Sequence, residues 1–337
     1  MGFHRRLAPS GFDRGATSAA VCVLSAAAAA LGAVPALAAP QDDTRAKVDR
    51  LYEQAEQATE AFNKADERAD SLRKQVSTAQ DEIARQQERI NTMRDALGSL
   101  AGAQYRSGGM DPSLALLFSD DPDDYLDKAA ALDRIGAHQA GELKDLQMAM
   151  RDLAQRREEA TGKLAELEQS RKAVARHKKT VEQKLTRARQ LLNSLPFAER
   201  AAYDRASRSG RDIPDLGDAA PASGRAAAAV AAARSAIGRP YVWGASGPTG
   251  FDCSGLMQWS YAQAGVGLPR TSQAQRFAGR QVPLSQARPG DLVAYRSDAS
   301  HIGMYVGNGQ VIHAPYPGAP VRYDPVGMMP VSSVTRV

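Results

Sequence analysis

The sequence lacks several features that stabilise exported and membrane proteins. It has two cysteines, Cys22 and Cys253, and beyond its first 38 residues it has no apolar run long enough to span a bilayer. It also has no Gly or Pro between Thr44 and Leu97. The first two absences exclude a disulfide-stabilised scaffold and a polytopic membrane protein, and the third favours a long uninterrupted helix.

Lysine and glutamate are missing from the last third of the chain. Residues 225–337 contain ten Arg and four Asp but no Lys or Glu, so this segment carries a net charge of +6 within a chain of net +5. Such a domain suits an anionic polymer. Because no Lys/Arg run is interleaved with aromatic residues, we do not expect a nucleic-acid partner.

The N-terminus has the pattern of a secretory signal peptide. Arg5 and Arg6 precede an Ala-rich apolar stretch over 21–34, and 36–38 read Ala-Leu-Ala, a cleavage site. The alternative is a retained membrane anchor, which the weak hydrophobicity of the stretch disfavours. The pattern predicts a signal peptide at 1–38, a secreted protein of the cell wall or extracellular space, and no stable membrane insertion after cleavage.

Two apolar seams with alternating steps of three and four residues predict an antiparallel coiled-coil hairpin over 42–206. The first seam is Val48, Leu51, Ala55, Ala58, Phe62, Ala65, Ala69, Leu72, Val76, Ala79, Ile83, Gln86, Ile90, Met93, Leu97, Leu100. The second is Leu143, Leu146, Met150, Leu153, Arg157, Ala160, Leu164, Leu167, Arg171, Val174, Lys178, Val181, Leu185, Ala188, Leu192, Leu195. Helix breakers between them predict a short helical tip at about 107–131, which either caps the hairpin or docks a membrane or divisome activator.

The rest of the chain predicts a linker and an α+β domain. Residues 207–224 are rich in Gly, Pro, Ser and Asp and have no period, which indicates a flexible linker. The domain at 225–337 opens with a helix over 226–237 and continues into short strands in succession, which favours an antiparallel sheet. The strand candidates are 291–296, 301–306, 310–314, 321–324 and 331–337.

Cys253 lies where a nucleophile would be activated. It follows the turn-rich run 244–250 and opens the helical pattern 256–262. A thiol in the first turn of a helix is near unpaired backbone N–H groups and the positive end of the macrodipole, which favour the thiolate. The position predicts a cysteine hydrolase.

Two histidines, His301 and His313, lie on the two strands of a predicted hairpin. A two-residue turn at Asn308-Gly309 would put them on opposite faces, whereas a three-residue loop, 307–309, gives one apolar face and leaves both histidines on the other. We therefore expect the three-residue loop and a Cys–His–His relay in which His301 pairs with the thiolate and His313 orients His301. Structural histidines and a zinc site are the alternatives; we expect no metal and no cofactor.

The same segment resembles the NlpC/P60 peptidase family. The matching motifs are Arg-Pro-Tyr-Val-Trp-Gly at 239–244, Phe-Asp-Cys-Ser-Gly-Leu at 251–256, Leu-Pro-Arg-Thr-Ser at 268–272, Pro-Gly-Asp-Leu-Val at 289–293, His-Ile-Gly-Met-Tyr-Val-Gly at 301–307 and Ile-His-Ala at 312–314. The resemblance implies a papain-like fold and cysteine endopeptidase activity on peptidoglycan stem peptides, typically at the bond from γ-D-Glu to the diamino acid. It places Cys253, His301 and His313 on catalytic positions.

The resemblance also places Tyr241, Asp252 and Ser254 on positions that line the substrate groove. Asp252 is in addition well placed as a helix N-cap. Arg270 could pair with a carboxylate of the stem peptide or lie on the surface. We count all four as candidate substrate-binding residues.

A coiled coil followed by this domain resembles exported cell-wall hydrolases of the PcsB and RipA type. That resemblance implies helical segments that cover the active site until a division-site partner releases them, although the rod could also be a spacer. A different class of function is a non-cleaving adaptor that binds wall peptide and activates other hydrolases. An amidase or acyltransferase that uses the same nucleophile is a third possibility.

Overall fold

The computed structural model describes residues 40–106, 122–208 and 214–337. The predicted signal peptide at 1–38 lies outside these residues and stays a prediction. Among the described helices, none combines the length and the apolar character needed to cross a membrane.

Two long helices form the N-terminal hairpin. Helix α1 spans Pro40–Arg106 and α2 spans Pro122–Ser194; a short helix, α3, spans Phe197–Arg208 after the break at Pro196. The early part of α1 packs on the late part of α2 and the late part of α1 on the early part of α2, so the helices are antiparallel as predicted. The buried clusters are Val48, Tyr52, Ala55, Ala58 with Val181, Leu185, Ala188; Ala69, Leu72 with Leu167; and Ile90 with Leu146, Ala149, Leu153.

The first predicted seam agrees with the burial of α1. The second is wrong at alternate positions from Leu143 to Lys178 and agrees with the observed burial from Val181 to Leu195. In α1, Gln86 donates from Nε2 to the carbonyl oxygen of Ala149 at 3.3 Å, a polar contact across the seam. In α2, Met150 and Leu164 are 44% and 48% exposed, while Ala149 and Ser170 are buried. At these turns the small side chains face α1, because they allow the two helices to approach closely.

The predicted tip and linker also need correction. Residues 122–131 belong to α2 instead of a separate tip helix, and 107–121 lie outside the described residues. The linker prediction fails at both ends. Residues 207–208 belong to α3, and 214–223 lie against the C-terminal domain, where Leu216 packs on the core and the N–H of Ala222 donates to the carbonyl oxygen of Pro289.

The C-terminal domain has the predicted α+β architecture. Its helices are α4, Gly224–Ser235; α5, Cys253–Gln263; and α6, Ser272–Gln275. Its strands are β1, Arg280–Val282; β2, Leu292–Tyr295; β3, His301–Gly307; β4, Gln310–His313; β5, Arg322–Pro325; and β6, Val331–Arg336. They form one sheet of order β1-β6-β2-β3-β4-β5 in which every pair is antiparallel.

Both faces of the sheet carry apolar clusters that belong to the domain itself. On one face, α4 and α5 pack against apolar residues of β3 and β4, including Ile302, Met304 and Ile312. On the other face, Val293, Val311 and their neighbours form a smaller cluster. Because these cores are built from residues 216–337, the domain contains the apolar contacts that it needs to fold alone.

The hairpin of β3 and β4 has the two-residue turn, but a bulge gives it the strand register that was expected from the three-residue loop. Asn308 and Gly309 form a two-residue turn with φ of 45° and 67°, so the predicted three-residue loop is wrong. A bulge between Tyr305 and Gly307 then restores the predicted pairing of Met304 with Ile312. The bulge resolves the conflict because it satisfies the Asn-Gly turn and still keeps the apolar face buried.

Candidate active site

Cys253 is the first residue of α5, held there by a tight N-cap. The carboxylate of Asp252 accepts a hydrogen bond from the N–H of Gly255 at 2.6 Å. A side chain at Gly255 would collide with the carbonyl oxygen of Ala245, so only glycine lets the preceding turn approach the helix so closely. The thiol therefore sits at the N-terminal end of the helix dipole, as predicted.

His301 and His313 form a direct hydrogen bond. Their Nε2 and Nδ1 atoms are 2.8 Å apart, and the rings are nearly perpendicular. Gly303, two residues along β3, lies beside His313: a Cβ there would be 3.2 Å from the His313 Cβ. The missing side chain leaves room for the His313 ring beside His301.

Asp324 on β5 completes the relay, and the sequence analysis did not single it out. Its Oδ2 is 2.8 Å from His313 Nε2 and 2.8 Å from Arg322 Nε. A neutral imidazole carries one N–H, so His313 donates from Nε2 to Asp324 and accepts at Nδ1 from His301 Nε2. This leaves His301 Nδ1 as the basic nitrogen that faces the reaction.

The electrostatics keep His313 neutral. Burial lowers the pKa of His313 to about 4, despite the opposing hydrogen bond to Asp324. Burial also acts against the ionised form of Asp324, but His313 and Arg322 together hold the pKa of that carboxyl below its usual range. His313 therefore orients His301 without carrying the charge itself at neutral pH.

Helix α1 crosses this site and places Glu60 on the nucleophile. Glu60 Oε1 accepts a hydrogen bond from Ser254 Oγ at 2.7 Å and lies 3.6 Å from Cys253 Sγ, while Oε2 accepts from the N–H of Ser272 at 2.8 Å. With α1 in this position, Cys253 is 1% exposed. The thiol is covered on its reactive side.

One helical turn earlier, Glu56 lies on the base. Its Oε1 is 3.2 Å from His301 Nδ1, at ion-pair distance, and its Oε2 accepts from Arg296 Nη1 at 2.6 Å. Burial opposes ionisation of Glu56, but His301 and Arg296 together hold its pKa below the usual range. When His301 Nδ1 is protonated, it therefore has a carboxylate of α1 as its ion-pair partner.

Apolar and polar contacts flank the two glutamates on the same face of α1. Tyr52 stacks on Tyr316 with ring centroids 4.9 Å apart, and Phe62 meets Trp243 edge-on at 5.2 Å, so Phe62 contacts the domain rather than only the predicted seam. Asn63 donates to Asp252 at 3.0 Å. Tyr52, Glu56, Glu60 and Asn63 follow one another at steps of four, four and three residues, which places them on one side of α1, turned toward the domain. Phe62 reaches Trp243 from the edge of that side.

The covered thiol is held in its protonated form. Burial, with the negative charges of Glu60 and Asp252, raises the pKa of Cys253, and this outweighs the lowering effect of the Ile302 backbone N–H. Burial and the nearby Asp252 also raise the pKa of Glu60 to about 7. In the covered state the helix thus opposes the thiolate that the start of α5 would favour.

The four candidate substrate-binding residues lie around the start of α5, near Cys253. Asp252 and Ser254 are buried, and Tyr241 is 6% exposed in the core cluster that contains Cys253. Arg270 pairs with Asp252 at 2.6 Å and donates to Ser254 Oγ at 3.0 Å, so its charge is matched within the domain. Their roles in substrate binding stay predictions.

The histidine geometry argues against a zinc site between the two rings. The facing nitrogens of His301 and His313 are already hydrogen-bonded to each other, and the remaining His313 nitrogen bonds Asp324. Among the described residues, no group of three His, Cys, Asp or Glu side chains could hold a metal ion. A thiol at a helix start, a basic imidazole nitrogen and an orienting His–Asp pair instead define a cysteine hydrolase site.

Comparison with known proteins identifies the family of this domain. Residues 238–334 match the model of the NlpC/P60 family. The C-terminal domain is therefore an NlpC/P60 cysteine peptidase domain, and the resemblance found in the sequence motifs is confirmed.

The similar proteins share this domain and not the whole chain. A "Probable endopeptidase" of Corynebacterium glutamicum is 49% identical over 118 residues, which cover 35% of this chain and 56% of the relative. One of Mycobacterium tuberculosis is 48% identical over 105 residues, 31% of this chain and 27% of that protein. The solved NlpC/p60 domain of peptidoglycan hydrolase SagA is 38% identical and covers 33% of this chain and 98% of its own, with a TM-score of 0.32.

The Asp324 contact generates a prediction. In the fragment 214–337, Asp324→Ala removes the acceptor that fixes the His313 tautomer, so kcat should fall about 10- to 1000-fold while KM changes little. The measurement is steady-state hydrolysis of a stem peptide. The exposed Asp218→Ala serves as the control, and a kcat within about twofold of the unsubstituted fragment would show that Asp324 does not act through His313.

Proposed function

We propose that this protein is a secreted peptidoglycan hydrolase that cleaves stem peptides, at the bond from γ-D-Glu to the diamino acid, and that α1 regulates access to its site. The observation that carries the proposal is the hydrogen-bonded series His301, His313 and Asp324 in an NlpC/P60 domain whose Cys253 begins α5. The printed names of the relatives, endopeptidases and a peptidoglycan hydrolase, support the same substrate class. The N-terminal signal pattern supports export.

The chemistry follows from the positions of the groups. The Cys253 thiolate attacks the γ-carbonyl carbon to form a C–S bond, and imidazolium His301 gives its Nδ1 proton to the leaving amine as the C–N bond breaks. His301 then takes a proton from water, which attacks the thioester and releases the carboxylate product and the thiol. His313 and Asp324 keep the His301 ring and tautomer in place through both steps.

Regulation by α1 is supported by two carboxylates on the catalytic pair. Glu60 contacts the nucleophile and Glu56 contacts the base, so no carbonyl can reach either while the helix is in place. Release of α1 would remove both carboxylates and re-expose the start of α5. The tyrosine stack and the Phe62–Trp243 contact supply apolar anchors on either side.

The proposed regulation predicts a difference between two forms of the chain acting on purified muropeptides. Fragment 214–337 should release new fragments about 30- to 100-fold faster than residues 40–337, which corresponds to an uncovering free energy of about 2–3 kcal/mol. Mass spectrometry under reducing conditions identifies the bond. Cys253→Ala should abolish cleavage in both forms.

Three other outcomes decide between the alternatives. Equal rates for the two forms would retain the enzyme and reject regulation by α1. No cleavage by either form would favour the non-cleaving adaptor. Products cut at the sugar–peptide amide, or new peptide bonds in place of breaks, would indicate the amidase or the acyltransferase.

The raised pKa of Glu60 gives a pH dependence with a defined sign. The Glu60 carboxyl has a pKa of about 7 when covered and would return toward its ordinary pKa of 4.5 when α1 leaves, so the covered state binds more protons between these values. Raising the pH from 5 to 8 therefore destabilises the covered state. The activity of 40–337 divided by that of 214–337 should rise about 10- to 100-fold over this range.

Taking this ratio cancels the pH dependence of the chemical step itself. Glu56 does not reverse the trend, because its lowered pKa places its titration below this range. The isosteric Glu60→Gln should flatten the ratio, whereas the exposed Glu88→Gln should leave it unchanged. A ratio that falls with pH would contradict the assignment.

A further inference from the structure

Three partly buried arginines of the C-terminal domain have a counter-ion within the domain. Each of three guanidinium groups lies within hydrogen-bond distance of an aspartate on a neighbouring element. The pairs are Arg270 with Asp252 at 2.6 Å, Arg322 with Asp324 at 2.8 Å and Arg336 with Asp291 at 2.6 Å. These charges remain balanced whether or not α1 is present.

Arg296 differs, because both carboxylates that pair with it belong to α1. Its Nη1 donates to Glu56 Oε2 at 2.6 Å, and its Nε lies 3.6 Å from Glu53 Oε1. From its own domain the guanidinium contacts the Ser300 hydroxyl at 3.2 Å. When α1 leaves, Arg296 loses both carboxylates, and a guanidinium that is 20% exposed faces the emptied groove.

The backbone holds Arg296 in a conformation that aims its side chain at the site. Arg296 follows β2 with φ of 64°, in the left-handed region that is unfavourable for a non-glycine residue. Its N–H donates to the carbonyl oxygen of Pro330 at 2.8 Å, which fixes this bend. Strain of this kind commonly marks residues whose side chain has a functional position.

The position of Arg296 corresponds to the leaving-group side of the scissile bond. Glu56 bridges Arg296 and His301 Nδ1, so the guanidinium lies one carboxylate away from the nitrogen that must protonate the leaving amine. Because His301 protonates the leaving amine in the proposed mechanism, we expect the substituents of that amine to lie near His301. A cavity of about 330 Å³, lined by Glu56, Arg296, His313 and Tyr316 among others, extends from this point.

We propose that Arg296 is a specificity-determining residue that binds a carboxylate on the leaving amino acid, and that Glu56 occupies this carboxylate position while α1 covers the site. The proposal rests on the proposed endopeptidase activity. A planar guanidinium binds a carboxylate through two parallel hydrogen bonds, which explains why arginine is suited to this position. The carboxylate has two possible sources, the α-carboxylate of the leaving residue or a carboxylate on its side chain.

The test uses residues 40–337 carrying Glu60→Gln, which weakens the hold of α1 and leaves Glu56 and Arg296 intact. Four peptides share L-Ala-γ-D-Glu and differ in the leaving residue: diaminopimelic acid, its α-amide, lysine and lysine amide. The expected result is a kcat/KM about 10- to 100-fold higher for the preferred carboxylate-bearing peptide than for lysine amide. A preference shared by diaminopimelic acid and lysine identifies the α-carboxylate, and one shared by diaminopimelic acid and its α-amide identifies the side-chain carboxylate.

Arg296→Gln should bring the four kcat/KM values to within about threefold of one another. This substitution also weakens the Glu56 contact and raises the absolute rates. Every peptide meets the same uncovered fraction, so the ratios of kcat/KM cancel that effect. Gln replaces Arg at the same φ without added backbone strain. Arg280→Gln, which removes an exposed charge on the edge strand β1, should leave the ratios unchanged.

Two outcomes would overturn the proposal, and a second variant decides if the first does not fold. The proposal fails if the preference for a carboxylate-bearing peptide survives in Arg296→Gln. It also fails if the protein with Arg296 shows no such preference. In both cases the role of Arg296 would be limited to its contacts with α1. If Arg296→Gln does not fold, Arg296→Lys decides, since it keeps the charge and loses the paired geometry and should lower the preference at least threefold. If none of the four peptides is cleaved, the endopeptidase activity fails and the assignment fails with it.

Discussion

The contact between the hairpin and the catalytic site centres on two carboxylates, Glu56 and Glu60, set one turn apart on α1. One contacts the base and the other contacts the nucleophile, so a single helical face meets both halves of the catalytic pair. The 3.6-residue period makes this possible, because side chains four residues apart project from the same side of the helix. The long hairpin gives the face its rigidity, since α1 is packed along α2 above and below the contact.

The energetics of this contact suit a reversible cover. Burying a carboxylate costs roughly several kcal/mol in desolvation, and pairing with Arg296, His301 and Ser254 offsets part of that cost. The Tyr52–Tyr316 and Phe62–Trp243 contacts add apolar burial at both ends. The net hold of such an interface is a small difference of large terms, which a modest binding energy elsewhere on the hairpin could overcome.

The sequence predicted the parts of the structure that follow from local pattern. The position of Cys253 at a helix start, the strands that carry His301 and His313, and the first seam of α1 all follow from turn residues and periodicity. The second seam failed where Leu164 and Met150 are more apolar than the small residues that face α1. In this case the close approach of the helices outweighed hydrophobicity.

The site residues that were not predicted from the sequence depend on long-range contacts, which local sequence pattern does not specify. An acidic pair such as Glu56 and Glu60 on a coiled-coil helix resembles a solvated face, and nothing in its spacing indicates a distant cysteine as its partner. Asp324 could have been found once the order of β4 and β5 was known, because alternation places Asp324 and Arg322 on one face beside His313. The position of Arg296 could not be predicted, because it depends on a backbone φ of 64° that the sequence does not indicate.

The rate at which iodoacetamide alkylates Cys253 tests the cover most directly, because it needs no substrate. At pH 8 we expect residues 40–337 to react about 30- to 100-fold more slowly than fragment 214–337, and we expect Glu56→Ala with Glu60→Ala to remove most of the difference. Mass spectrometry of the intact chain follows the reaction at its one described cysteine. Equal alkylation rates for the two forms would show that α1 does not cover the thiol in solution and would contradict the account.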